Sequence, residues 1–387
     1  MARVVVHIHS LGLGGAERVA LQWAGWLRRE GHEVVLLTGP PEGGQRGGSD
    51  GRSGDFYGLP AGLQRAQEAP LPGVLRRLGG LAFPLRLGLL RRWLQAVAPD
   101  LVISVTTRPA IKMLLAAWGL PLAVVVAERN HPGAKPLGSF WRLLRRLAYP
   151  RAALLLVQTE QIADWFGRRG LGERTAVLPN ALQWPLPPEQ PVLLPDRFLD
   201  PSCRVVLAAG TKPHQKGFDL LVDAFGLASR RCPGWRLVIA GLSRAEWPRT
   251  WPWPMGDAAP LLLGRVGNLG DWYGRADLFV LSSRYEGFPN VLLEAMASGT
   301  ACLAVDCPSG PAELIDHGRN GWLLPLLPQR SAMAEAMASA MAQLMAAEPR
   351  RRALAAAARD VHARFAEERI RGRLLDLLQP WLVGEGC

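Results

Sequence analysis

The sequence has few cysteines, and their arrangement suggests no shared role. The chain of 387 residues contains five cysteines, which form no Cys-x-x-Cys pair and no repeated spacing. Disulfide frameworks and zinc sites both require such patterns, so the sequence predicts neither of them. Unpaired cysteines are typical of a reducing compartment, and we therefore expect a cytoplasmic protein.

Long apolar runs are also missing. No stretch of about 18 uninterrupted apolar residues occurs, which argues against a transmembrane helix. The N-terminal segment MARVVVHIHS has one arginine and a short apolar run, and it lacks the apolar region and cleavage site of a signal peptide. We therefore expect any membrane association to be peripheral, on the inner face of the plasma membrane.

Acidic residues are scarce in the first half of the chain. Residues 1–190 carry 23 Lys and Arg against 13 Asp and Glu, whereas the remainder carries 22 against 20. A basic half attracts nucleic acid, anionic lipid or phosphorylated ligands; an arginine-rich proteome would explain the excess but not the asymmetry. No nucleic-acid-binding signature occurs, and aromatic residues are not interleaved with the basic stretches, so nucleic acid is not expected as a partner.

Short apolar segments alternate with amphipathic, helix-like segments along the whole chain. The apolar segments, such as RVVVHI, DLVISV and WRLVIAG, are near-continuous runs of Val, Ile and Leu, which are typical of parallel strands covered on both faces. The pattern predicts an α/β protein with two doubly wound, Rossmann-like domains facing a central cleft. We expect domains at 1–185 and 203–360, a proline-rich linker at 186–202, and a helical segment at 361–387 that packs back on the first domain.

A glycine-rich turn follows the first predicted strand. The stretch SLGLGGAERVA contains Gly12, Gly14 and Gly15 and then becomes helix-like. Such a turn usually cradles phosphate at the start of a helix. A dinucleotide fingerprint would require a third glycine where Glu17 stands, so the turn predicts phosphate chemistry without a dinucleotide.

The second half contains the strongest motif, SSRYEGFPNVLLEAMASG at residues 282–299. A helix is expected to begin near Pro289 or Asn290 and to end at Gly299. The N–H groups of residues 290–292 would then be free to bind an anion. Glu286 precedes the helix and Glu294 lies one turn inside it. Carboxylates accept hydrogen bonds from vicinal hydroxyls, so the pattern predicts a nucleotide-sugar site.

Two glutamates eight residues apart could also belong to a solvated helix face. Glu286 lies outside the helix, however, and Gly-Phe-Pro follows it, which is poor composition for such a face. The two glutamates, with the surrounding S-R-Y-E-G-F-P sequence, resemble the E-x7-E motif of retaining glycosyltransferases of family 4. The segments AAGTKPHQKGFDLLVDAF, LGLGGAERVA and AERNHPG are also similar to parts of that family. The resemblance covers nearly the whole chain in the same order.

The resemblance implies a GT-B fold, in which the first domain binds the acceptor and the second binds the nucleotide sugar. It implies catalytic roles for Lys216, Glu286 and His131. It also implies a set of donor-binding residues, namely Gly14, Gly15, Thr211, Lys212, Lys216, Glu286, Gly287, Phe288, Asn290, Val291 and Glu294.

One position departs from the family pattern. The family usually has Gly-Arg-Leu ahead of the lysine, where the arginine gives the leaving diphosphate a second positive charge, but this chain has Gly210-Thr211-Lys212. Thr211 supplies no charge. Lys212 could replace the arginine as a point charge, although it cannot form the same two parallel hydrogen bonds.

The resemblance implies a retaining hexosyltransferase that uses a nucleotide sugar, by family preference a UDP-sugar. The chain contains no Asp-x-Asp sequence, so we expect no metal and no cofactor. A glycan or a polyprenyl-diphosphate-linked molecule would be the acceptor, as in the synthesis of cell-surface polysaccharide or glycolipid. A nucleotide-sugar epimerase of the same fold and a catalytically weakened homologue remain as alternatives.

The acceptor and a membrane surface are expected to contact the first domain. Candidates for acceptor binding are Arg108, Arg129 and His131, although Asn-His-Pro-Gly is also a common turn sequence. Residues 74–97 and 139–151 combine arginines with Leu, Phe and Trp and contain no acid. They predict either a basic amphipathic surface for anionic lipid or ordinary surface helices. The candidate membrane contacts are Trp141, Arg142, Arg145 and Arg146.

Overall fold

A computed structural model describes residues 1–12, 14–40, 58–71 and 82–383. The chain divides into two compact units. Unit 1 consists of Met1–Pro179 and the described part of Ile370–Cys387, and unit 2 consists of Asn180–Arg369. Residues 186–202 fall within unit 2, and their role as a linker stays a prediction, as do the other domain boundaries expected from the sequence.

Unit 1 contains a seven-stranded parallel sheet. Its strands are β1 (Arg3–Ile8), β2 (Glu33–Thr38), β3 (Gln64–Gln67), β4 (Leu101–Val105), β5 (Ala123–Ala127), β6 (Leu154–Val157) and β7 (Thr175–Val177). The helices between them are α1 (Gly15–Arg29), α2 (Phe83–Val97), α3 (Thr107–Ala116), α4 (Ser139–Ala148) and α5 (Glu160–Gly167). Helices on both faces bury the Val- and Leu-rich strands, as the near-continuous apolar runs predicted.

The strand order in unit 1 is β3-β2-β1-β4-β5-β6-β7. The order reverses between β1 and β4, so the loops that follow these two strands diverge at their carboxyl ends. In doubly wound sheets, ligands bind in the crevice that such a reversal opens. The glycine turn after β1 and the segment that leads into α3 both begin there.

Unit 2 contains a six-stranded parallel sheet in the order β10-β9-β8-β11-β12-β13. Its strands are β8 (Arg204–Ala209), β9 (Trp235–Ala240), β10 (Leu261–Gly264), β11 (Leu278–Leu281), β12 (Cys302–Asp306) and β13 (Trp322–Pro325). Its helices are α6 (Pro213–Lys216), α7 (Phe218–Ser229), α8 (Leu269–Arg275), α9 (Asn290–Ser298), α10 (Pro311–Leu314), α11 (Arg330–Ala346), α12 (Glu348–Ala358), α13 (Val361–Arg364) and α14 (Glu367–Leu382). The last helix begins in unit 2 and ends in unit 1.

The order of the second sheet reverses between β8 and β11. Apolar clusters cover both of its faces, one built around α7 and α11 and the other around α9. The tryptophan- and proline-rich stretch at 247–258 also contributes, because Trp247 is buried and packs edge-to-face against Trp251 and Trp253. The two doubly wound parallel sheets confirm the predicted fold class.

Candidate active site

The candidate site of unit 2 begins with a largely buried ion pair at the reversal between β8 and β11. Lys216 Nζ lies 2.7 Å from Glu286 Oε1, and Ser283 Oγ donates to the same oxygen at 2.6 Å. Glu286 is only 6% exposed. The two residues that the sequence placed in one site, 70 positions apart, are therefore in direct contact.

Two glycines allow Lys216 to reach this position. A Cβ atom on Gly210 would lie 2.7–3.0 Å from three carbons of the Lys216 side chain, so any other residue would displace it. Gly217 has a φ of +64° and would bring a Cβ into collision with the Ser282 carbonyl oxygen. Ser282 Oγ donates to the Lys216 carbonyl at 2.8 Å, which fastens α6 to the end of β11.

The loop at 282–289 is also fastened by a second ion pair. Arg284 donates both of its terminal nitrogens to the Asp219 carboxylate, at 2.8 and 2.7 Å, and contacts the His214 carbonyl at 2.7 Å. Burial works to raise the pKa of Asp219, but the hydrogen bonds and charge of Arg284 outweigh it and hold that pKa below its usual range. The pair therefore fixes the loop that carries Glu286 against α6 and α7.

The segment after β12 supports the other side of the same loop. The Glu286 N–H donates to the Pro308 carbonyl at 3.1 Å, and Ser309 Oγ donates to the Gly287 carbonyl at 2.8 Å. Ser309 adopts a φ of +73°, which is uncommon for a residue with a side chain. Burial, with the nearby charge of Glu286, raises the pKa of the Cys307 thiol, which keeps it neutral.

Helix α9 begins and ends as the sequence predicted, with Pro289 before it and Gly299 after it in a left-handed conformation. Glu294 is 5% exposed and accepts a hydrogen bond from the Tyr273 hydroxyl at 3.1 Å. Asn290 Oδ1 accepts a hydrogen bond from Asn180 Nδ2 at 2.6 Å. Tyr273 and Asn180 could not be recognised as partners from the sequence, because both lie far from their contacts on α9 along the chain.

The expectation of free amides at residues 290–292 is wrong for two of the three. The N–H of Asn290 donates to the Phe288 carbonyl at 3.0 Å, and that of Leu292 donates to the Pro289 carbonyl at 2.9 Å. Proline before the helix tightens its first turn, so that nearby carbonyls take these donors. Positive charge for an anion must therefore come mainly from side chains and from the helix dipole.

The remaining donor-binding candidates of unit 2 fall into two groups. Thr211 and Lys212 are exposed, immediately before α6. Gly287 and Phe288 are buried, and the Phe288 ring packs edge-to-face against Phe365 with centroids 5.5 Å apart. Val291 is partly buried. The Phe288 side chain thus belongs to the core, and its predicted donor contact could involve only its backbone.

In unit 1, the glycine turn leads directly into α1. Gly14 precedes the helix with extended backbone, and Gly15 is its first residue. The Glu17 carboxylate lies so close to Gly14 that a Cβ there would collide with it. Glu17 stands in the first turn of α1, where a negative charge is favoured by the helix dipole. This local role explains why a charge replaces the third glycine of a dinucleotide fingerprint.

The acceptor candidates after β5 occupy a structured turn. His131 Nδ1 accepts the N–H groups of Gly133 and Ala134, at 3.2 and 3.1 Å, which assigns the ring proton to Nε2. Burial, with the charges of Arg168 and Arg169, lowers the pKa of His131. His131 therefore has the turn-forming role that was one of its two expected roles, through Nδ1. Its Nε2–H is the group that could donate to a ligand.

The side chains beside His131 are more deeply buried. Arg129 stacks over Trp23 at 5.4 Å from the ring centre, and burial lowers its pKa. Glu128, which the sequence did not suggest, accepts hydrogen bonds from Thr107 at 2.9 Å and from Tyr149. Burial raises the pKa of Glu128 despite these bonds. Neighbouring elements thus hold the start of this turn in place.

Helix α4 presents a different face from the one that the sequence suggested. Trp141 turns inward, packs edge-to-face on Phe83 and Phe140, and lies beneath Arg108 at 5.5 Å. Arg145 is partly buried over Trp165, 4.9 Å from its ring centre. Two of the four predicted membrane contacts, Arg142 and Arg146, are exposed, and the other exposed residues of the helix are Ser139, Phe140, Leu143 and Leu147.

Neither a metal-binding cluster nor a membrane-spanning segment is found in the described ranges. Within residues 1–12, 14–40, 58–71 and 82–383, no three His, Cys, Asp or Glu side chains stand together as a metal site would require. No helix in that part of the chain has the length and apolar character needed to cross a bilayer.

Comparison with protein families matches both units. The model "Glycosyl transferase 4-like domain" matches residues 14–181, and the model "Glycosyl transferases group 1" matches residues 203–347. The chain belongs to the glycosyltransferases. The Anabaena protein HepE, crystallised with UDP and glucose, aligns at a TM-score of 0.73 and 17% identity over 98% of this glycosyltransferase and 100% of that chain. At this identity the likeness establishes the GT-B fold alone.

Two curated relatives are similar in sequence. An exopolysaccharide phosphotransferase of Streptomyces coelicolor is 30% identical over 72% of this glycosyltransferase and 28% of its own length. A lipopolysaccharide core biosynthesis mannosyltransferase of Rhizobium meliloti is 39% identical over 28% of this chain and 33% of its own length. The matches therefore span about a third of each relative or less.

Replacing Asp219 with Asn tests the ion pair that fastens the 282–289 loop. We expect a loss of about 1.5–3 kcal/mol in the free energy of unfolding at pH 7, because a buried charged hydrogen bond is removed. Because the pKa of Asp219 is lower in the folded chain than in the unfolded chain, its ionised carboxylate stabilises the fold at any pH above the unfolded pKa of about 3.9. This stabilisation is lost as the pH falls through the folded pKa. Urea unfolding at pH 7 and pH 3.5 measures the difference, which should shrink at the lower pH.

Asp223 provides the matched control for this variant. It lies on the same helix, and its ion pair with Arg330 is about half exposed on both sides. Exposed pairs of this kind contribute about 0–1 kcal/mol, so Asp223→Asn should have little effect. Equal losses in the two variants would show that the Arg284–Asp219 contact has no special role.

Proposed function

We propose that this glycosyltransferase moves a hexose from a UDP-sugar to a hydroxyl of a glycan or of a polyprenyl-diphosphate-linked acceptor, with retention of anomeric configuration. The Lys216–Glu286 pair, buried where the strand order of unit 2 reverses, carries the proposal. A cation beside a carboxylate at this point suits a diphosphate beside sugar hydroxyls. The two relatives, named as an exopolysaccharide phosphotransferase and a lipopolysaccharide core biosynthesis mannosyltransferase, support a glycan or glycolipid acceptor.

The two members of the pair take different parts of the donor. Lys216 donates to the diphosphate, and Glu286 accepts from hydroxyls of the transferred sugar. Lys216 and Ser283 both contact Oε1 of Glu286, which directs Oε2 to the sugar. Glu294 accepts from the ribose hydroxyls while the Tyr273 hydroxyl fixes its orientation. The carboxylate of Glu286 thus balances the positive charge of Lys216, and a donor diphosphate would contact the same positive charge.

Charge also determines the proposed mechanism. Breaking the bond between the sugar and the diphosphate places negative charge on the leaving oxygen. A fixed cation such as Lys216 stabilises that charge more in the transition state than in the ground state. We propose that this side chain and the dipole of α9 act without a metal ion or cofactor. Because Thr211 replaces the usual arginine, catalysis depends on Lys216 more heavily than the family pattern implies.

Unit 1 is proposed to hold the acceptor. His131 Nε2–H would donate to the acceptor or to the transferred sugar, and Arg129 and Arg108 would bind an acceptor phosphate. The charge excess of the first half suits a phosphorylated acceptor. Gly14 and Gly15 would bring backbone close to the donor.

We further propose that α4 rests on an anionic membrane at the inner face of the plasma membrane. Phe140, Leu143 and Leu147 are 51–58% exposed and line one side of the helix. Arg142 and Arg146 are exposed beside them. Apolar side chains that enter the lipid boundary beside arginines that meet its phosphates are the features of an interfacial helix. A membrane is also where a polyprenyl-linked acceptor is found.

Lys216→Met preserves the length of the side chain and removes its charge. We expect kcat to fall about 10²–10³-fold, as for the loss of one fixed group that stabilises transition-state charge. Nucleotide release from a panel of UDP-sugars, followed by mass spectrometry of the products, measures the rate. Lys212→Met is the comparison, and a similar loss there would show that Lys212 acts as the replacement for the missing arginine. Full activity of Lys216→Met would contradict the proposed site.

The same assay separates the alternatives. A glycosyltransferase yields a glycosylated acceptor and free nucleotide, whereas an epimerase yields an altered nucleotide sugar with no release. Donor binding by the wild type without any turnover would favour a catalytically weakened homologue. This alternative is tested because Thr211 stands where the family usually has an arginine.

Glu294→Ala should weaken donor binding roughly 10–100-fold, because a charged hydrogen-bond acceptor is worth about 1.5–3 kcal/mol. Calorimetric titration with UDP measures the dissociation constant directly and does not depend on the sugar. Glu335→Ala, at an exposed position of α11, serves as the control and should bind UDP as the wild type does. Unchanged UDP affinity in Glu294→Ala would contradict the proposed role of Glu294 as the acceptor for the ribose hydroxyls.

Flotation with liposomes tests the membrane face. The wild type should float with vesicles containing phosphatidylglycerol and should be released by high salt, because exposed charges are screened. Substituting Phe140, Leu143 and Leu147 by Ser, or Arg142 and Arg146 by Glu, should abolish flotation. Charge reversal at Arg230 and Arg231, two exposed arginines of unit 2, is the control. Equal flotation of all the variants would remove α4 from the interface.

A further inference from the structure

Unit 1 contains a cavity that none of the proposed donor or acceptor residues explains. Its volume is about 300 Å³, at the lower end of the range for small-ligand pockets. It lies at the carboxyl ends of β1, β2 and β3, with α2 and α3 beside it. The lining residues that matter here are Glu68, Leu71, Arg86, Trp93 and Lys112.

A charged group forms the floor of this cavity. Lys112 Nζ lies 2.7 and 2.9 Å from the two carboxylate oxygens of Glu68. His7 Nε2 is 3.0 Å from Oε1, and His7 Nδ1 is 2.9 Å from Ser104 Oγ. Burial lowers the pKa of His7, so the neutral ring donates from Nε2 to Glu68 and accepts from Ser104.

Glu68 is ionised in this arrangement. Burial opposes the charge, but the hydrogen bonds from His7 and Lys112 outweigh burial and hold the pKa of Glu68 at about 2. The side chains of Glu68 and Lys112 are 10% and 15% exposed. The floor therefore offers a fixed acceptor beside a fixed donor, and both reach the cavity.

Another part of the lining is apolar and aromatic. Helix α2 contributes Arg86, Leu89, Leu90 and Trp93, which follow the i, i+3, i+4, i+7 spacing of a single helix face. Leu71 adds to the apolar lining from the segment after β3. Arg86 is exposed and stands one helical turn before Leu89 and Leu90. The cavity thus combines an apolar side, a charged floor and a cationic rim.

We propose that this cavity binds a uronic acid unit of the glycan acceptor, a proposal that rests on the function proposed above. A hexose ring has an apolar C–H face that suits the Trp93 indole and a rim of hydroxyls that suits Glu68 and Lys112. The sugar carboxylate suits the fork of Arg86. An alkyl chain fits less well, because it would bury the Glu68–Lys112 charges without new partners.

Saturation-transfer NMR on the full chain tests the proposal with methyl glucuronide, methyl glucoside and citronellyl phosphate as probes. We expect saturation transfer to the ring protons of methyl glucuronide. The dissociation constant of methyl glucoside should be at least three times that of methyl glucuronide. Trp93→Leu should weaken glucuronide binding at least tenfold. Arg86→Gln should reduce glucuronide affinity to that of the glucoside and leave the glucoside unchanged. Trp118→Leu, at an exposed tryptophan of unit 1 outside the cavity lining, should behave as the wild type.

UDP titration of the same samples separates this proposal from the proposed function. Normal UDP affinity with no sugar binding, or equal sugar binding by Trp93→Leu and Trp118→Leu, would overturn the assignment of the cavity alone. Binding of citronellyl phosphate in place of both sugars would overturn it in favour of a lipid ligand. Because Arg86 is exposed, Arg86→Gln keeps the test decisive even where Trp93→Leu fails to fold. Loss of UDP binding by the wild type would instead contradict the donor site.

Discussion

The contact between Lys216 and Glu286 is the constraint on which the candidate active site depends. Removing two charges from water is costly, and such a pair is tolerated only when its geometry and its extra hydrogen bonds compensate. Here Ser283 supplies the extra hydrogen bond, and Gly210 and Gly217 provide the space in which the lysine reaches the carboxylate. Two hydrophobic side chains at these positions could stabilise the fold equally well. The presence of Lys216 and Glu286 is therefore better explained by a chemical role than by stability.

The surrounding contacts preserve that pair rather than extend the apolar core. Arg284 fastens the loop to Asp219 on one side, and Ser309 fastens it to the segment after β12 on the other. Ser309 holds a backbone conformation that costs energy for any residue with a side chain. Strain next to a buried ion pair is typical of a site in which position matters more than stability. In unit 1, the buried Glu128 and the partly buried Glu68 are likewise carboxylates held by several donors.

Local patterns predicted the fold, because parallel strands covered on both faces are apolar throughout. The residues around the start of α9 indicated a nucleotide-sugar site at Glu286, whereas Lys216 was assigned to that site only by the resemblance to family 4. Ser283, Tyr273 and Asn180 could not be assigned to it, because each acts on a partner that only the folded chain brings near. The amides of Asn290 and Leu292 were misjudged because the turn before the helix, rather than the helix itself, decides where they point.

Helix α4 also shows that local sequence does not reveal which side chains a neighbouring element covers. Its composition predicts an amphipathic helix, but the apolar residues occupy more of its circumference than one neighbour can cover. Trp141 and Ala148 fall on one side and Phe140, Leu143 and Leu147 on another. Trp141 packs between Phe83 and Arg108 and Ala148 is buried, whereas the second set stays exposed even though Phe140 also touches the edge of Phe83. Periodicity therefore shows that a helix has surplus apolar surface, whereas only the neighbouring elements determine which part of that surface stays uncovered.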